Sequence, residues 1–199
     1  MKDKVLVGCL ALFVFGVLSG FSTGIAEDAA DQVKPAYTIV PIKKPPVIDG
    51  KLDDDVWKNA TFTHLYDFLA STKEARIKAD PATTFAISAD NKQLYVAFRC
   101  QDTNVSKLVQ NVTTRDGKLW NGDNVEIFLN FEGPGHTFRR VMLGASGAVF
   151  DAAYLQYGLK EHRWFDIKGL AGATNIQAGH WTGEIAIPFA GLAMKSNST

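Results

Sequence analysis

Cysteine is almost missing from this 199-residue chain: Cys9 sits in an N-terminal apolar stretch, which leaves Cys100 as the one thiol of the globular part. One thiol cannot close an internal disulfide, so the domain must rest on its hydrophobic core, with bound ions as a supplement. Excess charge is missing too. Lys plus Arg number 21, Asp plus Glu also 21, and the formal net charge is zero. With no basic run to track phosphates, nucleic acid is excluded as a partner. Catalytic motifs are absent as well: there is no GxSxG elbow and no HExxH, and the four histidines (His64, His136, His162, His180) are scattered. Asp123 and Glu126 lie close enough to consider as the carboxylate pair of a glycosidase. Their spacing straddles the start of a strand, and Asp123 reads better as a turn residue bonded to nearby backbone. No enzyme activity is expected.

Long hydrophobic runs are limited to residues 5–18, which follow two lysines and lead into small residues at Gly24 and Ala26. That pattern predicts a signal peptide over 1–26, removed near Glu27, and the run is too short to span a bilayer. The domain is therefore expected to be secreted, periplasmic or at the cell surface, with no membrane span after cleavage. Residues 27–45 are polar, then proline-rich, and read as a linker or edge segment that includes "KPAYTIV". A short helix is expected from "DGKLDDDVWKNA", with Asp53 as cap, Asp54 and Asp55 at the positive end of the dipole, and Val56 and Trp57 starting an apolar face.

Strand patterns fill the rest. Residues 83–89, 94–100, 124–131, 136–143, 148–156, 170–176 and 181–189 alternate apolar and polar side chains, with turn sequences such as "ADNKQ", "EGPGH" and "GASGA" between several of them. Seven short strands without alternating helices predict an all-β fold, an antiparallel β-sandwich of jelly-roll or immunoglobulin-like type, over 46–199. Cys100 falls on the apolar side of its strand and is expected to be buried and inert.

Two features stand out against that frame. Trp57 and Trp181 are placed to be structural, whereas Trp120 in "KLWNGD" and Trp164 in "EHRWFD" sit in polar loops. A flat indole beside polar groups suits a sugar ring, whose C–H face stacks while its hydroxyls bond to carboxylate or guanidinium groups. Core packing accounts for Trp120 equally well. Glu126 lies on the polar face of its strand, and either Arg139 or Arg140 on the next strand must share that face, as a plain cross-strand ion pair or as a pair presented to sugar hydroxyls. Acidic loop residues (Asp49, Asp53, Asp54, Asp55, Asp102, Asp116, Asp123) leave structural calcium open, without an EF-hand pattern.

Four stretches, "VIDGKLDDDVW", "LYVAFRCQDTN", "RDGKLWNGDNVEIFLN" and "WTGEIAIPF", together resemble the carbohydrate-binding module family 9-like domains in order and spacing, from about Pro46 to Phe189. The resemblance implies a sandwich that binds saccharide or polysaccharide without cutting it, often with structural calcium, within a larger multidomain protein. In sugar-binding members the Trp six residues before the Glu of the "VEIF" strand stacks on the sugar and that Glu hydrogen-bonds it, which points to Trp120 and Glu126; an arginine of the following strand resembles Arg139 or Arg140. The second clamp tryptophan of such members follows the "EIAIPF" strand, and this sequence ends ten residues after Phe189. The expectation is thus a C-terminally incomplete domain, or Trp164 acting as the substitute. The alternatives are a structural or interaction sandwich with no sugar site, and a haem-binding relative with Met142 and a His or Lys as axial ligands.

Overall fold

The computed structural model describes residues 37, 39–67, 77–130, 137–155, 160–162 and 165–192, with backbone alone at 10–13, 40 and 160. Among the described residues eleven strands run in chain order: β1 (Leu10–Phe13), β2 (Val40–Pro41), β3 (Thr63–His64), β4 (Thr83–Ala89), β5 (Gln93–Gln101), β6 (Asn124–Asn130), β7 (Thr137–Gly144), β8 (Val149–Leu155), β9 (Lys160–His162), β10 (Ala171–Gln177) and β11 (His180–Pro188). Among the described residues the one α-helix, α1 (Asp55–Lys58), is a single turn. Its helical start is where the sequence placed it, but Asp54 rather than Asp53 holds the N-cap position, and its carboxylate accepts from Val47 N instead of closing the helix.

The strands form two sheets. The front sheet has the order β1-β6-β7-β8-β9; the back sheet has the order β10-β11-β5-β4-β2, with β3 also on β4. Pairing is antiparallel except for β2 on β4 and β1 on β6. The β-sandwich expected from the alternation is what forms, and the strand ends differ from the sequence expectation by about a residue. Strands β3 and β9 were not anticipated, because two or three residues carry no readable period. Nor was β1, which lies within the stretch read as a leader and pairs with β6 in a register that sets the Leu10 backbone beside that of Ile127.

The core between the sheets takes one parity from each strand: Phe85 and Ile87, Leu94, Val96, Phe98 and Cys100, Val125, Ile127 and Leu129, Val141 and Leu143, and Trp181, Ile185 and Ile187. Cys100 is buried, and burial pushes its thiol up to about 12. Residues 42–62 then fold over the other face of the back sheet and make a second core, in which Trp57 packs on Ala86, Tyr95, Ala97 and Ala186. Trp57 is structural, as expected.

This covering layer is fastened by Glu184, a fully buried carboxylate on β11. Its Oε1 accepts from the Trp57 indole at 2.6 Å, and its Oε2 accepts from Gly50 N at 2.7 Å and Asp49 N at 3.1 Å. Thr182 Oγ1 donates to Gly50 O at 2.6 Å. Gly50 has φ +83, and a Cβ there would lie 2.4 Å from the Thr174 backbone, so only glycine fits this close approach. The stretches "VIDGKLDDDVW" and "WTGEIAIPF" therefore meet at one buried carboxylate.

Candidate functional site

Residues of the other parity on the front sheet form its outer face. Register sets Glu126 opposite Met142, Phe128 opposite Arg140, Met142 opposite Phe150, Arg140 opposite Ala152, Phe138 opposite Tyr154, and Tyr154 opposite Glu161. A 3-10 turn at residues 119–121, just before β6, sets Leu119 in a small apolar cluster with Met142, Phe150 and Ala152. Trp120 lies half-buried against that cluster, its ring meeting Phe150 edge-on at 5.6 Å and 86°. Loop and strand are joined by backbone bonds from Asp123 and Ala145 and by the carboxylate of Asp123, which accepts from Val109 N at 2.6 Å. Asp123 is a turn residue, as its position in the sequence suggested.

Arg140 is the arginine that shares the face with Glu126. Its Nε donates to Glu126 Oε2 at 2.9 Å and its Nη2 to Oε1 at 2.7 Å, a two-pronged pair whose side chains are 19% and 15% exposed. That geometry is stronger than a point contact. Burial pulls the Arg140 proton affinity down, but its bonds to Glu126 and Tyr154 outweigh this and hold the guanidinium above its ordinary range. Its Cζ stands 5.9 Å from the Trp120 ring centroid. Aromatic, carboxylate and guanidinium groups thus converge on one patch of the sheet.

Arg139 points the other way. It is buried between the sheets, donates from Nε to Leu192 O at 3.0 Å and stacks its Cζ 5.0 Å over Phe165. Alternation along β7 forces this split, and it takes Arg139 away from the Glu126 patch. Trp164 lies outside the described residues. Met142, the suggested haem ligand, is fully buried inside the apolar cluster under Trp120.

Four further residues of this face went unrecognised in the sequence. Phe128 meets Phe138 at 5.6 Å, Phe138 stacks on Tyr154 at 4.7 Å and 8°, and Tyr154 Oη donates to Glu161 Oε1 at 2.7 Å. Phe128, Phe138 and Tyr154 could have been found, since each shares the outward parity of Glu126 or Arg140. Glu161 gave no signal, because β9 is too short to show one.

Several of the acidic loop residues have partners within the protein. Among the described residues no group of three or more His, Cys, Asp or Glu side chains could hold a metal ion. Asp49 pairs with Lys51, Asp102 accepts from Asn104 N, and Arg115 supplies the positive charge shared by Asp116, Asp151 and Asp166. A concavity of about 470 Å³, lined by Lys92, Gln93, Pro188 and Phe189 among others, includes none of the residues of the Trp120 patch.

Comparison with known proteins agrees with this architecture. The family model described as "Carbohydrate family 9 binding domain-like" matches residues 48–199. A Bacteroides uniformis protein proposed to bind carbohydrate superposes with a TM-score of 0.57 at 12% identity, covering 77% of this chain and 72% of its own. A carbohydrate binding module of family 9 from Caldicellulosiruptor kristjanssonii, solved in complex with glucose, superposes with a TM-score of 0.50 at 19% identity, covering 79% and 72%. Among curated proteins, none matches the sequence.

Proposed function

The chain belongs to the carbohydrate family 9 binding domain-like family, and on that premise we propose that the outer face of its front sheet binds a saccharide and does not cut it. The observation that carries this reading is the convergence of half-buried Trp120 with the paired Glu126 and Arg140. In this role Trp120 offers the exposed part of its ring to the C–H face of a sugar, Glu126 accepts from hydroxyls with its remaining lone pairs, and Arg140 donates with its remaining N–H groups. Both Glu126 oxygens are engaged by one guanidinium, which suits a fixed acceptor better than a nucleophile. Trp164 stays the proposed second aromatic of the clamp; Arg139 leaves the site and serves the core.

The same proposal places the domain outside the cytoplasm within a larger protein. Its support is the lysine-led apolar stretch ending at Gly24 and Ala26. Among the described residues no helix is long and apolar enough to cross a membrane. The competing reading, a structural sandwich without a sugar site, draws on the edge contact of Trp120 with Phe150.

Native electrophoresis through gels containing soluble xylan or hydroxyethyl cellulose separates the two. Retardation of the wild type in one of them, lost in Trp120→Ala and in Glu126→Ala, supports the sugar site. Free migration of the wild type in every gel, or unchanged retardation of both variants, refutes it.

A further inference from the structure

Four polar groups lie across four neighbouring strands of the front sheet: Glu161 on β9, Tyr154 on β8, Arg140 on β7 and Glu126 on β6. Only one of the joining bonds uses a hydroxyl proton, and its direction is fixed by chemistry. Arginine has donors only, so Arg140 Nη1 donates to Tyr154 Oη at 3.4 Å, and the Tyr154 proton goes to Glu161 Oε1 at 2.7 Å. The Tyr154 ring is held for this by its parallel stack on Phe138. Glu126 takes Nε and Nη2 of the same guanidinium. All three nitrogens of Arg140 are thereby engaged, and the relay holds one positive charge between two carboxylates.

We propose that Tyr154 and Glu161 are positioning residues that set the charge selectivity of the sugar site: by completing the engagement of Arg140 they make the face accept uncharged sugars and reject uronic acids. The inference rests on the sugar-binding reading above. A neutral pyranose donates hydroxyl protons to the carboxylates and accepts a single N–H from Arg140. A uronate brings a carboxylate that meets a relay of net charge minus one, in which no guanidinium nitrogen is wholly unengaged. Rejection by like charge and by pre-committed donors is how polar sites commonly discriminate.

Glucose and glucuronate differ only at C6 and provide a matched test, titrated by NMR into the wild type, Tyr154→Phe and Glu161→Gln. The wild type should favour glucose over glucuronate by about tenfold, one hydrogen bond to a charged group. Tyr154→Phe keeps the ring on Phe138 and releases Nη1, so the preference should shrink by about tenfold. Glu161→Gln keeps an acceptor but removes the charge; Glu161 is exposed, so a change of about threefold is expected, and it should fade in high salt. A loss of packing alone would weaken both sugars together and show no such salt dependence. Equal binding of glucose and glucuronate by the wild type overturns the inference, as does an unchanged ratio in both variants. If the wild type binds glucose through Trp120 and the ratio never moves, only this inference falls; if it binds no glucose, the sugar-site reading falls with it.

Discussion

Replacing Glu184 with alanine strips three donors, two of them buried, of one acceptor group. The Trp57 indole N–H and the N–H groups of Asp49 and Gly50 all end on this carboxylate, at 2.6, 3.1 and 2.7 Å. An orphaned buried donor costs about 1–3 kcal/mol. Relief comes from the charge itself, whose burial is unfavourable, and from water entering the space left behind. A net loss of at least about 3 kcal/mol is expected, a large part of the roughly 5–15 kcal/mol typical of a folded domain. Glu184→Gln is more selective. Its carbonyl can keep the two backbone donors, but its amide then faces the Trp57 N–H, donor against donor, for about 1–3 kcal/mol. In a Trp57→Phe background that clash is gone, so the two substitutions should couple by about 1 kcal/mol or more. Urea unfolding of the four proteins measures this. Glu184→Ala within about 1 kcal/mol of wild type, or additive effects of Glu184→Gln and Trp57→Phe, would refute the reasoning. The pH dependence adds a check. Burial holds the Glu184 carboxyl above its ordinary 4.5, against the pull of its three donors. The folded state thus favours the protonated form, and this contribution grows as pH falls towards 4.5 and is lost as pH rises through the folded value. Over that range the wild type should gain on Glu184→Gln as the pH is lowered.

A related prediction concerns Asp151 on β8 of the front sheet. Buried on the inner face of β8, it accepts from Ile167 N at 2.8 Å and from Arg115, yet burial raises its carboxyl from 3.8 to about 6. Its contribution to stability is full below 3.8 and lost as pH rises through about 6, a window of about 3 kcal/mol. Asp151→Asn should flatten the urea midpoint between pH 4 and 7, and a slope like that of wild type would count against the assignment. In a Cys9→Ser background, Cys100, held up at about 12 by burial, should not react with a thiol reagent such as DTNB at pH 8 in native protein and should react at once in urea; fast native labelling would contradict its place in the core.

The reach of the sequence follows from where each signal is stored. Strands such as β4 and β5 were legible because alternation is local, and Phe85, Val96 and Phe98 needed no distant partner to be placed inside. The same parity separated Arg139 from Arg140 once β7 was known to start at Thr137. Glu184 was not legible: in "WTGEIAIPF" it alternates as a solvent-facing residue, and the segment that buries it comes from around Trp57, far away in sequence. Glu161 failed for the opposite reason, since its strand of three residues holds too little pattern. Trp120 fell between, because a half-buried indole on Phe150 satisfies both the packing and the binding reading.

Calorimetric titration of glucose and cello-oligosaccharides into the wild type and into Trp120→Ala tests the central claim most directly. The account predicts saturable binding by the wild type and at least a tenfold loss in the variant, about 1.4 kcal/mol, while both proteins keep the cooperative urea transition of a folded domain. Binding of equal strength in the two proteins, or none in the wild type, would contradict it.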